Sequence, residues 1–236
     1  MRFEEKIKAK YLYTNKKNLI KIIYFFLQKL KSYKFIKKSY SGSAQDIIID
    51  HFFRNKKKGF YVDVGSFHPL RMNNTYLLYK KNWTGINIDP SKFSIELFNF
   101  LRPKDLNYSC AISNQNKKLD FYYKKDHYPL NSLVKSVLNK TVVGSLKRKR
   151  VQAYTLNKIL SKSRFKNCQI DLLDIDVEGA ELNVLKGLSF KMYKPKLICI
   201  EIHQKNFKKN KVYLFLIKKK YRLIWYRSVS FIFEKL

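Results

Sequence analysis

The sequence is short of acidic residues, glycine, proline and cysteine. Its 236 residues include only 17 Asp and Glu, 7 Gly, 5 Pro and 3 Cys. The cysteines, Cys110, Cys168 and Cys199, lie far apart and form no CxxC pair, so neither a disulfide framework nor a four-cysteine zinc site is supported. This scarcity favours a reducing compartment, and we expect a cytoplasmic protein.

Long apolar runs are also missing. The most apolar stretch near the N-terminus, residues 19–30, contains Lys21 and is much shorter than the roughly 20 apolar residues that span a bilayer. It has no small-residue cleavage site, so we predict neither a membrane-spanning helix nor a secretory signal. Disorder of the whole chain is excluded as well, because 45% of the residues are hydrophobic and 16% are aromatic, which is enough to bury a core.

The shortage of acids against 50 Lys and Arg leaves a formal charge of +33, concentrated in residues 1–38, 140–166 and 204–236. Such a surface would attract phosphate backbones or anionic lipids without any sequence recognition. Biased codon usage is the alternative, because lysine greatly outnumbers arginine and Asn, Ile, Tyr and Phe are abundant too. A nucleic-acid or membrane partner and a purely compositional origin therefore both stay open.

Residues 1–38 predict one basic amphipathic helix, because their apolar residues recur at helical spacing. The helix either contacts a partner or the inner face of a membrane, or it packs its apolar stripe on the following domain. A second short helix is predicted at residues 44–53. We accordingly divide the chain into a basic helical extension, residues 1–58, and an α/β domain, residues 59–236.

From Gly59 onward, short apolar runs alternate with helical segments, which is the βαβ pattern of a mostly parallel sheet covered on both faces. Residues 124–150, which include the basic cluster 147–150, fit this alternation poorly, and we predict a long loop or insertion over one sheet edge. The predicted strands are 60–64, 85–88, 108–112, 170–176, 197–202, 221–226 and 229–234. The predicted helices are 74–80, 91–101, 181–186 and 206–218.

Two acids end the first two predicted strands. Ligands of open α/β sheets bind beyond the carboxyl ends of the strands, and Asp63 and Asp89 fall there. Their separation is roughly the spacing at which the second acid can accept hydrogen bonds from both ribose hydroxyls. Each could instead cap the turn or helix that follows. Neither a GxGxxG nor a GxxxxGK[ST] sequence is present, so a nucleoside without a diphosphate fits better than a dinucleotide or a triphosphate.

A second group of acids lies in residues 170–181, which hold 5 of the 17 acids in the chain. Neighbouring carboxylates repel one another, so their clustering indicates a functional site that needs them. We expect Asp176 and Glu178 to face the same opening as Asp63 and Asp89. Residues 171, 174 and 181 are expected on the surface, on the strand flank or in a first helical turn.

Histidines supply the remaining candidates. His68 and His203 follow predicted strands and are the general-base candidates, although each could simply order its loop. Glu201 and His203 project to one side of the last core strand. A divalent cation on Asp176 with Glu201 or His203 is chemically feasible, but the spacing does not establish it and no metal ligand is assigned.

Four motifs follow one another along the chain, at 60–69 (FYVDVGSFHP), 73–79 (NNTYLLY), 83–90 (WTGINIDP) and 173–187 (LDIDVEGAELNVLKG). Together they resemble the FkbM family of S-adenosylmethionine-dependent methyltransferases. The resemblance covers roughly residues 59–203 and implies a Rossmann-like class I methyltransferase sandwich, with a mostly parallel seven-stranded sheet whose last strand is antiparallel. The terminal strand pair agrees with that expectation.

The resemblance implies S-adenosylmethionine as cofactor and O-methylation of a hydroxyl on a sugar, glycan or other small molecule. Our own candidates for the catalytic residues that orient the acceptor and remove its proton are Asp176, Glu178 and His203. The implied cofactor-binding residues are Asp63, Gly65 and Ser66 near the methionine, Asp89 near the ribose, Ala111 near the adenine, and Asn74 beside them. The alternative is a non-catalytic or RNA-directed basic α/β module that binds nucleic acid or an anionic membrane.

Overall fold

The computed structural model describes residues 17–34, 38–125, 127–141, 145–204 and 206–236. The described chain separates into two compact units, one before Ser39 and one from Ser39 to Leu236. The first unit contains helix α1 (Lys17–Lys34), which falls within the predicted basic helix. Residues 1–16 and 35–37 of the predicted extension lie outside the described residues.

Helix α1 exposes apolar side chains at helical spacing: Leu19, Ile22, Ile23, Phe26 and Leu30. Among the described residues, no helix combines the length and the apolar character that a membrane crossing requires. Peripheral contact of this helix with a membrane, like the cytoplasmic location, stays a prediction.

The second unit is built on a mostly parallel sheet, as predicted. Within the described residues seven strands form it, in the spatial order β3–β2–β1–β7–β8–β10–β9. All neighbours up to β8 pair in parallel, whereas β10 runs antiparallel to both β8 and β9. The strands are β1 (Phe60–Val64), β2 (Thr84–Ile88), β3 (Leu106–Tyr108), β7 (Leu172–Ile175), β8 (Leu197–Glu201), β9 (Tyr221–Arg227) and β10 (Ser230–Lys235).

Apolar residues cover both faces of this sheet, which explains why its central strands read as continuous apolar runs. All residues of β1 and β7 are buried, and successive residues point to opposite faces. On one face Val62 belongs to a cluster with Leu160 and Val184, and on the other Tyr61 belongs to a cluster with Ile49 and Leu78. The covering layers therefore come from helices before, between and after the strands.

The helices of the second unit follow the predicted alternation, with two that the sequence did not predict, α5 and α6. Ser91 caps α4, because its hydroxyl accepts a hydrogen bond from the Ser94 amide at 3.3 Å. The helices are α2 (Gln45–Phe52), α3 (Tyr76–Lys80), α4 (Lys92–Leu101), α5 (Lys135–Thr141), α6 (Leu156–Ser161), α7 (Glu181–Lys186) and α8 (Lys211–Lys218), with a 3₁₀ turn at Phe207–Lys209. The predicted helix at 206–218 thus divides into this turn and α8.

The predicted loop at residues 124–150 was wrong in part. Helix α5 lies within it, and residues 147–150 begin strand β6 (Lys147–Tyr154), which pairs with β4 (Ala111–Ile112) and β5 (Lys118–Tyr123) in a small second sheet. The predicted strand at 108–112 is also interrupted, because residues 109 and 110 separate β3 of the large sheet from β4 of the small one.

Cross-strand contacts explain how a run of four basic residues forms a strand. Arg148 and Arg150 both approach the carboxylate of Asp120 on β5, at 3.6 and 3.9 Å. The ammonium group of Lys149 lies over the rings of Phe121 and Tyr123, at 5.6 and 5.1 Å from their centres. These pairs stabilise an antiparallel ladder that composition alone does not reveal.

The predicted boundary at residue 58 between extension and domain stays a prediction. Helix α2, which precedes that boundary, packs on the sheet through Ile49, a fully buried residue in the cluster with Tyr61 and Trp83.

A buried guanidinium links the first two strands to the segment after them. Arg102 is 0% exposed, and its Nε donates to Asp105 Oδ2 at 2.9 Å. Its other nitrogens donate to the hydroxyl of Tyr61 at 2.6 Å, to Asn73 Oδ1 at 3.1 Å and to Thr75 Oγ1 at 3.0 Å. One side chain thus connects β1 with residues 73–75 and with the end of α4.

The carboxylate of Asp105 completes this network. Its Oδ1 accepts a hydrogen bond from the Gly85 amide at 2.8 Å, and its Oδ2 accepts one from Asn87 Nδ2 at 2.9 Å. Both donors belong to β2, so the Arg102–Asp105 pair connects β1, β2 and α4. A buried ion pair whose other hydrogen-bonding groups are also satisfied is costly to break from one side.

We expect the Arg102→Met substitution to lower the free energy of unfolding by about 3 to 5 kcal/mol, because it leaves Asp105 buried without its cation. The matched control is Arg222→Met, which removes a pair between Arg222 and Glu234 on the surface, 2.7 Å apart, with the arginine side chain 61% exposed. That change should cost less than about 1 kcal/mol. Urea denaturation of the three proteins checks this, and equal stabilities for both variants would contradict it.

Candidate functional site

A pocket with about 560 Å³ of empty space, part of it open to solvent, lies beyond the carboxyl ends of β1, β2 and β7. Polar and backbone groups from the three strand ends line it through Gly65, Asp89 and Asp176. Its apolar walls include Ile88 and Ile112. The segment 127–133, part of the predicted loop, closes the other side.

Gly65 lets the backbone pass close to the end of β7. Its φ is +85°, and a Cβ at this position would lie 1.7 Å from the carbonyl oxygen of Asp176. The amides of Gly65 and Ser66 both donate to the carbonyl of Ile88, at 2.8 and 3.2 Å. These contacts fix the turn after β1 against β2 and β7, so only glycine fits here.

Asp89 presents a carboxylate to the pocket while two amides hold it in place. Its Oδ2 accepts a hydrogen bond from the Phe67 amide at 3.1 Å, and its Oδ1 accepts one from the Ser91 amide at 2.7 Å. Burial raises the pKa of Asp89 to about 6, although both hydrogen bonds lower it. The carboxylate is mainly ionised at neutral pH, and its oxygens have lone pairs left for a ligand.

The other predicted cofactor residues take different positions. Ala111 lines the pocket, whereas Asp63, Ser66 and Asn74 are not among the described residues that line it. Asp63 is 2% exposed and accepts hydrogen bonds from Thr75 Oγ1 at 2.8 Å and from Asn73 Nδ2 at 3.1 Å. Burial raises the pKa of Asp63. Its carboxylate therefore stabilises the segment that follows the pocket turn.

Ser66 is also buried, and its hydroxyl has no hydrogen-bond partner within the described residues. His68, a general-base candidate, is 2% exposed, and its Nδ1 accepts a hydrogen bond from the Leu70 amide at 3.1 Å. This hydrogen bond agrees with the alternative that His68 orders the loop in which it lies.

His127, which the sequence analysis did not identify as a site residue, lines the pocket. Its ring stacks on Phe67 with the ring centres 4.4 Å apart, and its Nδ1 lies 2.8 Å from Ser94 Oγ. The signal that could have found it was the poor fit of residues 124–150 to the βαβ alternation, since such segments often bind ligands.

A second pocket, of about 540 Å³, opens along β7 and β8. Its polar lining includes Asn74, Asp174, Glu201 and Ser230. Asp176 lines this pocket as well as the first, so the two pockets are neighbours at this residue. Such an arrangement can hold two ligands next to each other.

Asp174 is the buried acid of the second pocket. Asn74 Nδ2 donates to its two oxygens, at 3.0 and 3.2 Å. Burial, with a smaller contribution from the charge of Asp63, raises the pKa of Asp174 to about 8. Asp174 is therefore largely protonated at neutral pH and can donate a hydrogen bond.

The predicted catalytic residues converge at the same edge. His203 Nε2 lies 2.9 Å from Glu201 Oε2 and 3.9 Å from Glu178 Oε2. The hydrogen bond to Glu201 raises the pKa of His203, and burial followed by the charge of Glu201 raises the pKa of Glu178 to about 7. Burial and the charges of Glu201 and Glu178 also hold the pKa of Asp176 well above its usual range. The group can therefore bind and release protons near neutral pH.

In a comparison with known protein families, the model of the methyltransferase FkbM domain matches residues 63–223, about two thirds of the chain. The match contains all the residues that line the first pocket and eight of the thirteen that line the second. The chain has no significant match among the curated proteins with which it was compared.

We expect Gly65→Ala to lower the free energy of unfolding by about 2 kcal/mol or more, through its positive φ and the clash with the Asp176 carbonyl. Gly42→Ala is the control, because a Cβ there would meet no atom within 4 Å, and surface changes of this kind stay within about 0.5 kcal/mol. Denaturant titration measures both. A Gly65→Ala protein as stable as the Gly42→Ala protein would show that the turn has room for a side chain.

Asp174 makes the stability of the protein depend on pH. Its pKa rises from 3.8 to about 8 on folding, so the folded state binds the proton more tightly. The stabilisation is complete below pH 3.8 and is lost as the pH rises through about 8. We therefore expect unfolding free energies measured between these limits to fall less steeply with pH for Asp174→Asn than for the wild type. Parallel curves would contradict the assignment.

Proposed function

Because the chain belongs to the FkbM methyltransferase family, we propose that it transfers a methyl group from S-adenosylmethionine to a hydroxyl of a sugar, glycan or other small acceptor. The observation that carries the proposal is the meeting of two pockets at Asp176, beyond the carboxyl ends of the parallel strands. A methyl transfer needs donor and acceptor aligned on either side of the moving carbon. Two cavities with one shared wall residue suit that requirement.

The strand order supports a Rossmann-like class I methyltransferase sandwich for residues 59–236. Five parallel strands are followed by a terminal pair, and the last strand in the chain, β10, inserts antiparallel between β8 and β9. The family match begins close to the end of β1 and stops within β9. Residues 1–58 then form the extension in our proposal.

The first pocket has the chemistry that S-adenosylmethionine requires. Asp89 can accept hydrogen bonds from both ribose hydroxyls, and Ala111 stands between apolar walls that suit an adenine ring. Gly65 leaves space for the methionine part, while Asp63 and Ser66 support the turn from behind. Bound there, the cofactor supplies a methyl group on a positively charged sulfur, which Asp176 is placed to face.

The second pocket is where we place the acceptor. Asn74 and the protonated Asp174 can hold neighbouring polar groups of the acceptor, and Asp176 lies towards the first pocket. Asp176, Glu178 and His203 orient the reacting hydroxyl and receive its proton. Burial and neighbouring negative charge favour proton uptake, because both raise the pKa of Glu178 to about 7 and hold the pKa of Asp176 well above its usual range.

Titration calorimetry with S-adenosylhomocysteine, the product form of the cofactor, tests the proposal. We expect binding by the wild type and an affinity at least about 10-fold weaker for Asp89→Asn, because a charged hydrogen-bond acceptor is lost. Asp50→Asn is the matched control, since Asp50 lies near the surface and pairs with Lys81. Thermal unfolding of both variants shows whether they remain folded.

A mass-spectrometric screen of hydroxylated acceptors should then detect the gain of one methyl group. No binding of the cofactor product by the wild type, or equal binding by the Asp89→Asn protein, would contradict the proposal. Salt-dependent oligonucleotide binding without cofactor binding would favour the basic, non-catalytic module instead.

A further inference from the structure

We propose that Glu178, Glu201 and His203 form a binding site for one divalent metal ion of the first transition row, at the edge of the acceptor pocket. The site deepens the proposed function and rests on it for its catalytic role, although metal binding itself can be measured without methyl transfer.

The three side chains reach one point from two neighbouring strands. Glu178 lies in the turn after β7, Glu201 ends β8, and His203 follows two residues later. One ligand atom from each lies within 4.8 Å of the others. Adjacent ligand atoms of an ion with bonds near 2.1 Å lie about 3 Å apart, so rotation of the side chains alone can close the site.

Glu178 gives an independent reason to expect a ligand here. The residue is only 8% exposed, and no described residue donates a hydrogen bond to its carboxylate. Its nearest positively chargeable group is His203 Nε2, at 3.9 Å, which is beyond hydrogen-bonding distance. A largely buried carboxylate whose only ion-pair partner among the described residues is a half-exposed histidine is costly, and a bound cation would offset that cost.

The contrast with other acids of the chain strengthens this reason. Asp171 pairs with Lys56 and Lys196, and Asp105 pairs with Arg102. The chain holds 50 Lys and Arg, yet none of those in the described segments forms an ion pair with Asp176, Glu178 or Glu201. Among the described residues only His203 pairs with Glu178 and Glu201, so a bound metal ion would add positive charge where the described chain supplies little.

The ligand types favour a metal ion over an organic cation. An imidazole nitrogen beside two carboxylate oxygens is a donor set for Mn²⁺ or Zn²⁺, which bind the neutral imidazole directly and displace its proton. Three protein ligands leave coordination positions open. Glu201 lines the acceptor pocket, so an acceptor hydroxyl can occupy one of them.

In this arrangement the ion holds the acceptor oxygen and stabilises its deprotonated form. Glu178 and His203 then hold the ion, and the proton of the hydroxyl passes to the carboxylate of Asp176. Asp176, which is not one of the three ligands and lines both pockets, remains beside the reacting hydroxyl.

The test is calorimetry with MnCl₂ on the full chain, without an affinity tag and after removal of metals by a chelator. We expect one site in the wild type and binding at least about 10-fold weaker in Glu178→Gln and in His203→Gln. Glu201→Gln gives a third, separate substitution in case one variant does not fold. Glu234→Gln is the control, because Glu234 is a surface carboxylate paired with Arg222, and it should bind Mn²⁺ like the wild type.

S-adenosylhomocysteine binding by each protein separates the two proposals. Cofactor binding that stays normal while the ligand variants lose Mn²⁺ supports the metal site. Absence of Mn²⁺ and Zn²⁺ binding in a wild type that binds the cofactor product overturns the metal site alone. Metal binding that is equal in all variants overturns the ligand assignment, and metal binding without cofactor binding overturns only the methyltransferase proposal.

Discussion

The buried guanidinium of Arg102 is the interaction on which the pocket-forming edge of the sheet depends. It is neutralised by Asp105 and also donates to Asn73 and Thr75, the residues that hold the carboxylate of Asp63. Because Asp63 is in β1, two residues before Gly65, the network determines where the turn after β1 leaves the sheet. That turn passes so close to Asp176 that a Cβ could not be accommodated. The ends of β1 and β7 therefore take their positions in the first pocket from hydrogen bonds of the Arg102 network, which lies outside the pocket.

The two groups of buried acids differ in how their charge is balanced. Asp63 and Asp105 share the charge of Arg102 and the hydrogen bonds of neighbouring side chains, which is a structural arrangement. At the carboxyl ends of β7 and β8, Asp176, Glu178 and Glu201 have His203 near them and no Lys or Arg of the described segments in an ion pair. In a chain with a formal charge of +33, cationic side chains are locally scarce beside these three carboxylates. This scarcity is why we propose that bound ligands balance part of their negative charge.

The alternation of apolar runs and helical segments was enough to predict the large sheet, because the buried central strands have few polar residues to obscure them. The convergence of Asp176, Glu178 and His203 followed from the rule that parallel strands end at one edge. Strand β6 was missed because Lys147–Arg150 owes its ladder to Asp120 and to two aromatic rings on another strand. Arg102 and His127 were missed for a similar reason, since most of their partners are distant in sequence, although Asp105 is only three residues from Arg102. Asp63 was recognised as important, but its carboxylate faces the network and not the pocket.

We propose that Asp176 lies between a cofactor pocket and an acceptor pocket. A crystal structure of the full chain with S-adenosylhomocysteine would test this arrangement. We expect the ribose on Asp89, the adenine beside Ala111 and the sulfur facing Asp176, with the cavity lined by Asn74 and Asp174 still open beyond it. A ligand bound outside the first pocket, or one that fills both cavities and leaves no room for an acceptor next to Asp176, would contradict the proposed arrangement.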